Sequence, residues 1–230
     1  MRSRDHVSRA DFESALTQIA ADGGGTVRWF VCESTPEERA LASAHGMVDG
    51  AALLHMRCEL PLAQQHRMPD GFITRPFRPG IDDEEWLAVN ARAFADHPEQ
   101  SDWTREVLSA RLAEPWFDRS GFLIHEIDDR IAGFCWTKVH ADGYDHGSSS
   151  VDASAPVGEI YVIGVDPAHH GKGLGRALTI AGFTHLAQRG ISRGMLYVAG
   201  DNTPAIRLYE SLGMRIAHRD DVYVGTVTAR

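Results

Sequence analysis

The sequence predicts a mixed α/β protein, and three observations carry that expectation. Runs of β-branched and aromatic residues of strand length alternate with segments of helical periodicity. From residue 71 onward the order reads β-α-α-β-β-β-α-β-α-β-β, which suits a sheet covered by helices rather than a bundle or a sandwich. Finally, a strand at 159–165 runs into a Gly-x-Gly-x-Gly turn that opens a helix.

The elements follow in order. Asp11–Ala21 places Phe12, Ala15, Leu16, Ile19 and Ala20 at helical spacing and stops at Gly23-Gly24-Gly25. Thr26–Cys32 reads as a strand, Pro36–His45 as a helix with its proline in the first turn and Gly46 as its stop, and Ala51–Leu60 as a second strand. This first stretch has little to cover a sheet and reads as the latter half of a domain. Pro61–Pro69, polar and flanked by prolines, reads as a linker. Beyond it, Gly71–Phe77 is an expected strand. Ile81–Ala95 is a helix whose acidic start, Asp82-Asp83-Glu84-Glu85, suits the positive end of a helix dipole. Asp102–Ala113 is a further helix, and Phe122–Ile127 with Ile131–Val139 forms a hairpin around Asp128-Asp129-Arg130. Ala141–Val157, rich in Gly, Ser and Asp, is an expected surface loop, either a flap or an insertion. Gly158–Val165 is a strand, Gly173–Gln188 a helix, Gly194–Ala199 a strand and Asn202–Leu212 a helix ended by Gly213. Two short strands, Met214–Ala217 and Val222–Val227, close the chain.

The 230 residues exceed one typical domain. With 43% hydrophobic and 24% charged residues, the composition is that of an ordinary globular protein. A formal net charge of -9 gives no electrostatic support to a nucleic-acid or anionic-membrane partner. Cys32, Cys58 and Cys135 show no C-x-x-C spacing, which argues against a disulfide framework and fits a reducing, cytoplasmic setting. No secretory signal is legible at the N-terminus, and no run approaches the roughly 18–20 apolar residues that span a bilayer. A monomer is expected. His140/His146 and His169/His170 match no metal-binding spacing, so no metal is expected.

The densest signal is Glu159-Ile-Tyr-Val-Ile-Gly-Val-Asp-Pro-Ala-His-His-Gly-Lys-Gly-Leu-Gly-Arg176. Backbone amides at a glycine-rich helix start form a phosphate site, although the same glycines also serve a plain strand-to-helix turn. Neither the Walker pattern nor a dinucleotide-binding fingerprint is present. His170-Gly171-Lys172-Gly173-Leu174-Gly175 resembles the R/Q-x-x-G-x-G/A pyrophosphate loop of the GNAT superfamily of N-acetyltransferases, with His170 in place of the usual Arg or Gln. Asp201-Asn202-Thr-Pro204-Ala205-Ile-Arg207-Leu-Tyr209-Glu-Ser-Leu-Gly213 resembles the superfamily's N-x-x-A-x-x-x-Y segment, in the expected order after the loop. More specifically, His97-Pro-Glu99-Gln100 before Trp103, Trp136-Thr-Lys138-Val-His140, Gly158-Glu159 and Leu196-Tyr197-Val resemble the mycothiol synthase family.

The resemblance implies a GNAT acyl-CoA N-acyltransferase fold. It covers 71–230 as the catalytic domain, preceded by a partial GNAT-like domain at 1–60 and the linker at 61–70. It also implies acetyl-CoA as co-substrate and acetylation of the cysteinyl amine of a thiol-sugar, cysteinyl-glucosaminyl-inositol. The cofactor would be held by Ile163, Gly164, Val165, His170, Gly171, Lys172, Gly173, Leu174, Gly175, Arg176, Asn202, Pro204, Ala205 and Arg207. Glu99, Lys138, Glu159 and Tyr197 match the family's substrate-binding positions. The chemistry needs a group to take the amine's proton, donors for an oxyanion and an acid for the leaving thiolate. Glu159, Ile163–Val165 backbone amides and Tyr209 are the candidates. Taken alone, Glu159 also fits a strand-end carboxylate paired with a cation, and Tyr209 a packed helix aromatic.

Overall fold

The computed structural model describes residues 2–3, 7–66, 68–95, 102–141, 143 and 155–229. In chain order its strands are β1 (Arg2–Ser3), β2 (Gly25–Cys32), β3 (Val48–Asp49), β4 (Leu53–Glu59), β5 (Arg75–Pro76), β6 (Phe122–Ile127), β7 (Arg130–His140), β8 (Val157–Val165), β9 (Arg193–Ala199) and β10 (Arg215–Val227). The helices are α1 (Arg9–Ala21), α2 (Pro36–Ala44), α3 (Asp83–Ala93), α4 (Arg105–Leu112), α5 (Leu174–Gln188) and α6 (Thr203–Ser211).

Local chemistry explains the helix starts. Ser8, Thr35, Thr104 and Asn202 each accept a first-turn backbone N–H with their side chains, at α1, α2, α4 and α6. At α2, Glu38 returns the contact to the Thr35 backbone and completes a capping box.

All ten strands join one mixed sheet, in the order β1-β2-β10-β4-β9-β8-β7-β6-β5, with β3 paired to β10 off that path. Most pairs are antiparallel; β8–β9 and β1–β2 are parallel. Along β7 the side chains alternate between two cores. Phe134 and Trp136 join Phe77, Trp86, Val89, Leu108 and Phe122 on one face, while Cys135 joins Leu178, Phe183, Leu186 and Leu196 on the other. A third cluster, around Phe12, Trp29, Leu41 and Met47, also takes in Tyr223 of β10.

The sheet departs from the sequence reading in several places, beyond the unexpected short strands β1 and β3. The two short final strands are one strand, β10, with a register shift between Ile216 and His218 absorbing the irregularity. The strand expected at Gly71–Phe77 shrinks to Arg75–Pro76, since proline donates nothing to a ladder and only an edge position tolerates it. Most consequentially, β4 lies between β9 and β10, pairing antiparallel with both. The boundary expected at 61–70 is therefore a boundary in the chain and not in the sheet. A strand from the first stretch covers what would otherwise be an open edge of β9.

Candidate active site

The site arises where two parallel strands part. β8 pairs with β9 only from Gly158 to Ile160, opposite Gly194 to Leu196. On its other side, β8 carries one extra residue: Trp136 pairs with Val162 and Thr137 with Ile160, leaving Tyr161 as a bulge. A bulge bends and twists its strand, and this one sits where β8 leaves β9. The opening is a trough of two lobes, about 390 and about 450 Å³, that share Phe94, Ile163, Asn202 and Tyr209.

The larger lobe gathers most of the expected cofactor residues. Ile163, Gly164, Val165, His170, Gly171, Gly173, Leu174, Gly175, Arg176, Asn202, Pro204 and Ala205 all line it. Gly171 and Gly173 have φ of 75° and 78°, left-handed values that disfavour a Cβ, and Gly173 is the residue from which α5 starts. Free amides and the positive end of a 15-residue helix thus face one lobe, a fit for a pyrophosphate. His170 has a structural part as well: its Nε2 lies 3.0 Å from the Val165 carbonyl, tying the loop to the end of β8. Arg176 reaches from α5 to the Ser211 hydroxyl at 2.7 Å and the His66 ring at 3.1 Å.

Two residues depart from their expected parts. Lys172 and Arg207 line neither lobe. Gly164 lines the lobe, but a Cβ there would meet Phe134 at 2.7 Å and Ala93 at 3.2 Å. Packing on the aromatic core requires glycine at that position.

The smaller lobe holds two of the four expected amine-side residues, Glu159 and Tyr197. Glu159, Tyr161 and Tyr197 line it, and Tyr197 stacks on His55 with ring centroids 4.9 Å apart. Glu159 is buried and takes a 2.7 Å hydrogen bond from Nε2 of His140. Lys138 is directly opposite Glu159 across β7 and β8, yet its ammonium is 4.7 Å above the Trp116 ring and 5.7 Å from that of Tyr161. This places Lys138 on the aromatic wall behind the lobe, a cation–π arrangement, rather than among its lining residues. Glu99 lies outside the described residues.

Tyr209 is buried at the junction of the two lobes. Burial pushes its phenol well above the ordinary range, and the neighbouring Cys135 adds to the effect. It is thus held as a proton donor. Tyr161 is also raised, mainly by burial, with Glu159 contributing.

Sequence reasoning missed several of the lining residues. Arg28 and Leu53 reach the smaller lobe from β2 and β4, Phe94 ends α3 between the lobes, and His169 joins the larger one. Only the sheet order brings the first two there, so no local pattern could have flagged them. Asp166 anchors the turn after β8. Burial raises its pKa, but hydrogen bonds from Arg92 and the Ala168 amide outweigh that, and the net direction is down. Among the described residues, one group has the makeup of a metal site. Cys32, His218 and Asp220 bring ligand atoms within 4.8 Å of one another, on β2 and β10 and away from both lobes.

Residues 84–214 match the family model described as the acetyltransferase (GNAT) family, and the chain belongs to that family. A GCN5-related N-acetyltransferase from Sphaerobacter thermophilus shares the fold, with a TM-score of 0.69 at 23% identity over 95% of this chain and 65% of that one. Among sequences, the chain is similar to the mycothiol acetyltransferase of Thermobispora bispora, 49% identical over 86% of this chain and 65% of that one. It is likewise similar to the mycothiol acetyltransferase of Acidothermus cellulolyticus, 48% identical over 86% and 61% respectively. The chain thus spans less than two thirds of the length of these curated relatives. Among the described residues, no helix is long and apolar enough to cross a membrane.

Proposed function

We propose that the chain transfers an acetyl group from acetyl-CoA to the cysteinyl amine of cysteinyl-glucosaminyl-inositol, the last step of mycothiol formation. One observation carries the reading: a two-lobed trough holds a carboxylate in one lobe and a buried, protonated phenol at the junction with a glycine-framed, helix-capped lobe. The names of the similar proteins support the substrate.

Bound acetyl-CoA supplies an activated acetyl thioester. The chain's own groups do the rest. The Gly171–Arg176 backbone and the α5 start hold the pyrophosphate, and Asn202 caps α6 beside it. Glu159 orients the amine and takes its proton through water, so that nitrogen attacks as the neutral species. Backbone N–H groups of β8 beyond Ile160, past the end of the β9 ladder, donate to the carbonyl oxygen as it gains charge. Tyr209 then gives its proton to the departing thiolate.

Assaying the full chain with acetyl-CoA and a panel of amines tests this. Turnover of the cysteinyl pseudodisaccharide is the expected result; acetylation of peptides alone would move the acceptor to another amine class. Binding of acetyl-CoA without turnover of any amine would make the chain a non-catalytic acyl-CoA-binding protein. Glu159→Gln should lower kcat for the amine while leaving acetyl-CoA affinity intact; equal loss of both would make Glu159 structural.

A further inference from the structure

We propose that His140 is a positioning residue of this site, one that fixes the Glu159 carboxylate toward the amine lobe. The inference rests on Glu159 being the proton acceptor of the proposed reaction. His140 is the last residue of β7, two positions past Lys138 and therefore on the same face of the strand. Glu159 sits diagonally across on β8, since His140 pairs with Val157 and Lys138 with Glu159. The closer cross-strand cation is drawn away onto the Trp116 and Tyr161 rings. His140 reaches the carboxylate instead, Nε2 to Oε2 at 2.7 Å, with the two side chains only 12% and 10% exposed.

The choice of partner has a chemical consequence. An ammonium fixed against a carboxylate weakens it as a base, because the charged form is favoured. An imidazole N–H instead orients the carboxylate through one directed hydrogen bond from a ring held at the strand end. An ionised carboxylate only accepts, so the His140 ring carries its proton on Nε2 in this pair. One Glu159 oxygen is thereby held by the strand end, which leaves the other for the amine and its water. His140 lines neither lobe, so it acts through Glu159 and not on the substrate.

Nitrogen-edited spectra of the full chain labelled with 15N-histidine should show an imidazole Nε2–H that is absent from H140Q and shifted in E159Q. Absence of that resonance from the wild-type chain overturns the pair. In kinetics, H140L should lose ~10-fold or more in kcat with acetyl-CoA affinity unchanged, as expected when a reacting group loses its orientation. H140Q keeps an N–H near the same place and should recover most of the rate. H140N, whose amide is shorter, should not, and this comparison decides the matter if H140L fails to fold. In an E159Q background, H140L should cost nothing further. An unchanged kcat in H140L, or an equal loss in both backgrounds, overturns the positioning role. A wild-type chain silent toward every amine would overturn the acetyltransferase reading, whereas the imidazole resonance decides the pair independently.

Discussion

Tyr209 combines two properties that a proton donor to a thiolate needs: it faces the junction of both lobes, and burial keeps its phenol protonated. Tyr209→Phe should therefore slow turnover by ~10²-fold or more with little change in acetyl-CoA affinity. The pH dependence follows from the direction of the shift. A raised pKa keeps the acid form present beyond about pH 10, where an ordinary phenol ionises. The kcat of the wild-type chain should hold level to that pH, measured in buffers of constant ionic strength. A fall there that Tyr209→Phe abolishes would show a phenol titrating normally. Tyr209 and Glu159 stood out in the sequence as candidates because each belongs to a segment that resembles a family motif. His140 was visible only as part of a matching segment, since its bond to Glu159 depends on the diagonal geometry of two strands.

Turns and helix starts carry the next level. Gly173 has a positive φ that a β-branched residue does not adopt without strain, although nothing lies within 4 Å of its missing Cβ. Gly173→Val should thus lose acetyl-CoA affinity through loop conformation, whereas Gly175→Ala, whose Cβ would meet Leu208 at an ordinary 3.6 Å, should lose little. Calorimetric titration of both variants with coenzyme A makes the comparison, and equal affinities would mean the loop does not form the site. A different element is held by charge. Asp82, with a side chain 3% exposed, accepts from Arg75 at 2.6 Å, from Arg78 at 2.8 Å and from the Arg78 amide at 2.7 Å, locking β5 to the start of α3. Burial raises the Asp82 pKa, but the hydrogen bonds from Arg78 and Arg75 outweigh it, and the net direction is down. A lowered carboxylate stabilises the fold above about pH 4 and loses that contribution as pH falls through the folded value. Asp82→Asn should cost about 3 kcal/mol at pH 7, and its melting temperature should converge on that of the wild-type chain as the pH falls below the ordinary carboxylate range. The acidic run at 82–85 had suggested only a helix-dipole contact; that Asp82 clamps two arginines is a tertiary fact.

At the scale of the molecule, the sheet joins both ends of the chain. β2 pairs with β10 over Gly25–Cys32, β4 separates β9 from β10, and Arg28 and Leu53 help to line the smaller lobe. Removing residues 1–60 would therefore strip strands from both sides of β10, uncover one edge of β9 and take two residues from the acceptor side of the trough. The expected outcome is a chain that fails to unfold cooperatively or aggregates, measured by circular dichroism and size-exclusion chromatography. A stable, acetyl-CoA-binding 61–230 fragment would show that the first stretch is dispensable for the fold.

The sequence by itself determined the α/β class, the glycine-rich turn after the strand ending at Val165, the helix expected over Asn202–Leu212, and Glu159 and Tyr209 as candidates. These rest on local chemistry: glycines that permit left-handed turns, side chains that cap helices, and the spacing of residues on one element. Only the tertiary structure decided which partner holds Glu159, why Gly164 is glycine and where the first stretch belongs. Strand order and cross-strand register are long-range properties. Hydrophobic alternation tells a strand which of its faces is buried but leaves open which strand lies beside it. Here that choice placed β4 between β9 and β10 and set part of the first stretch against the candidate active site.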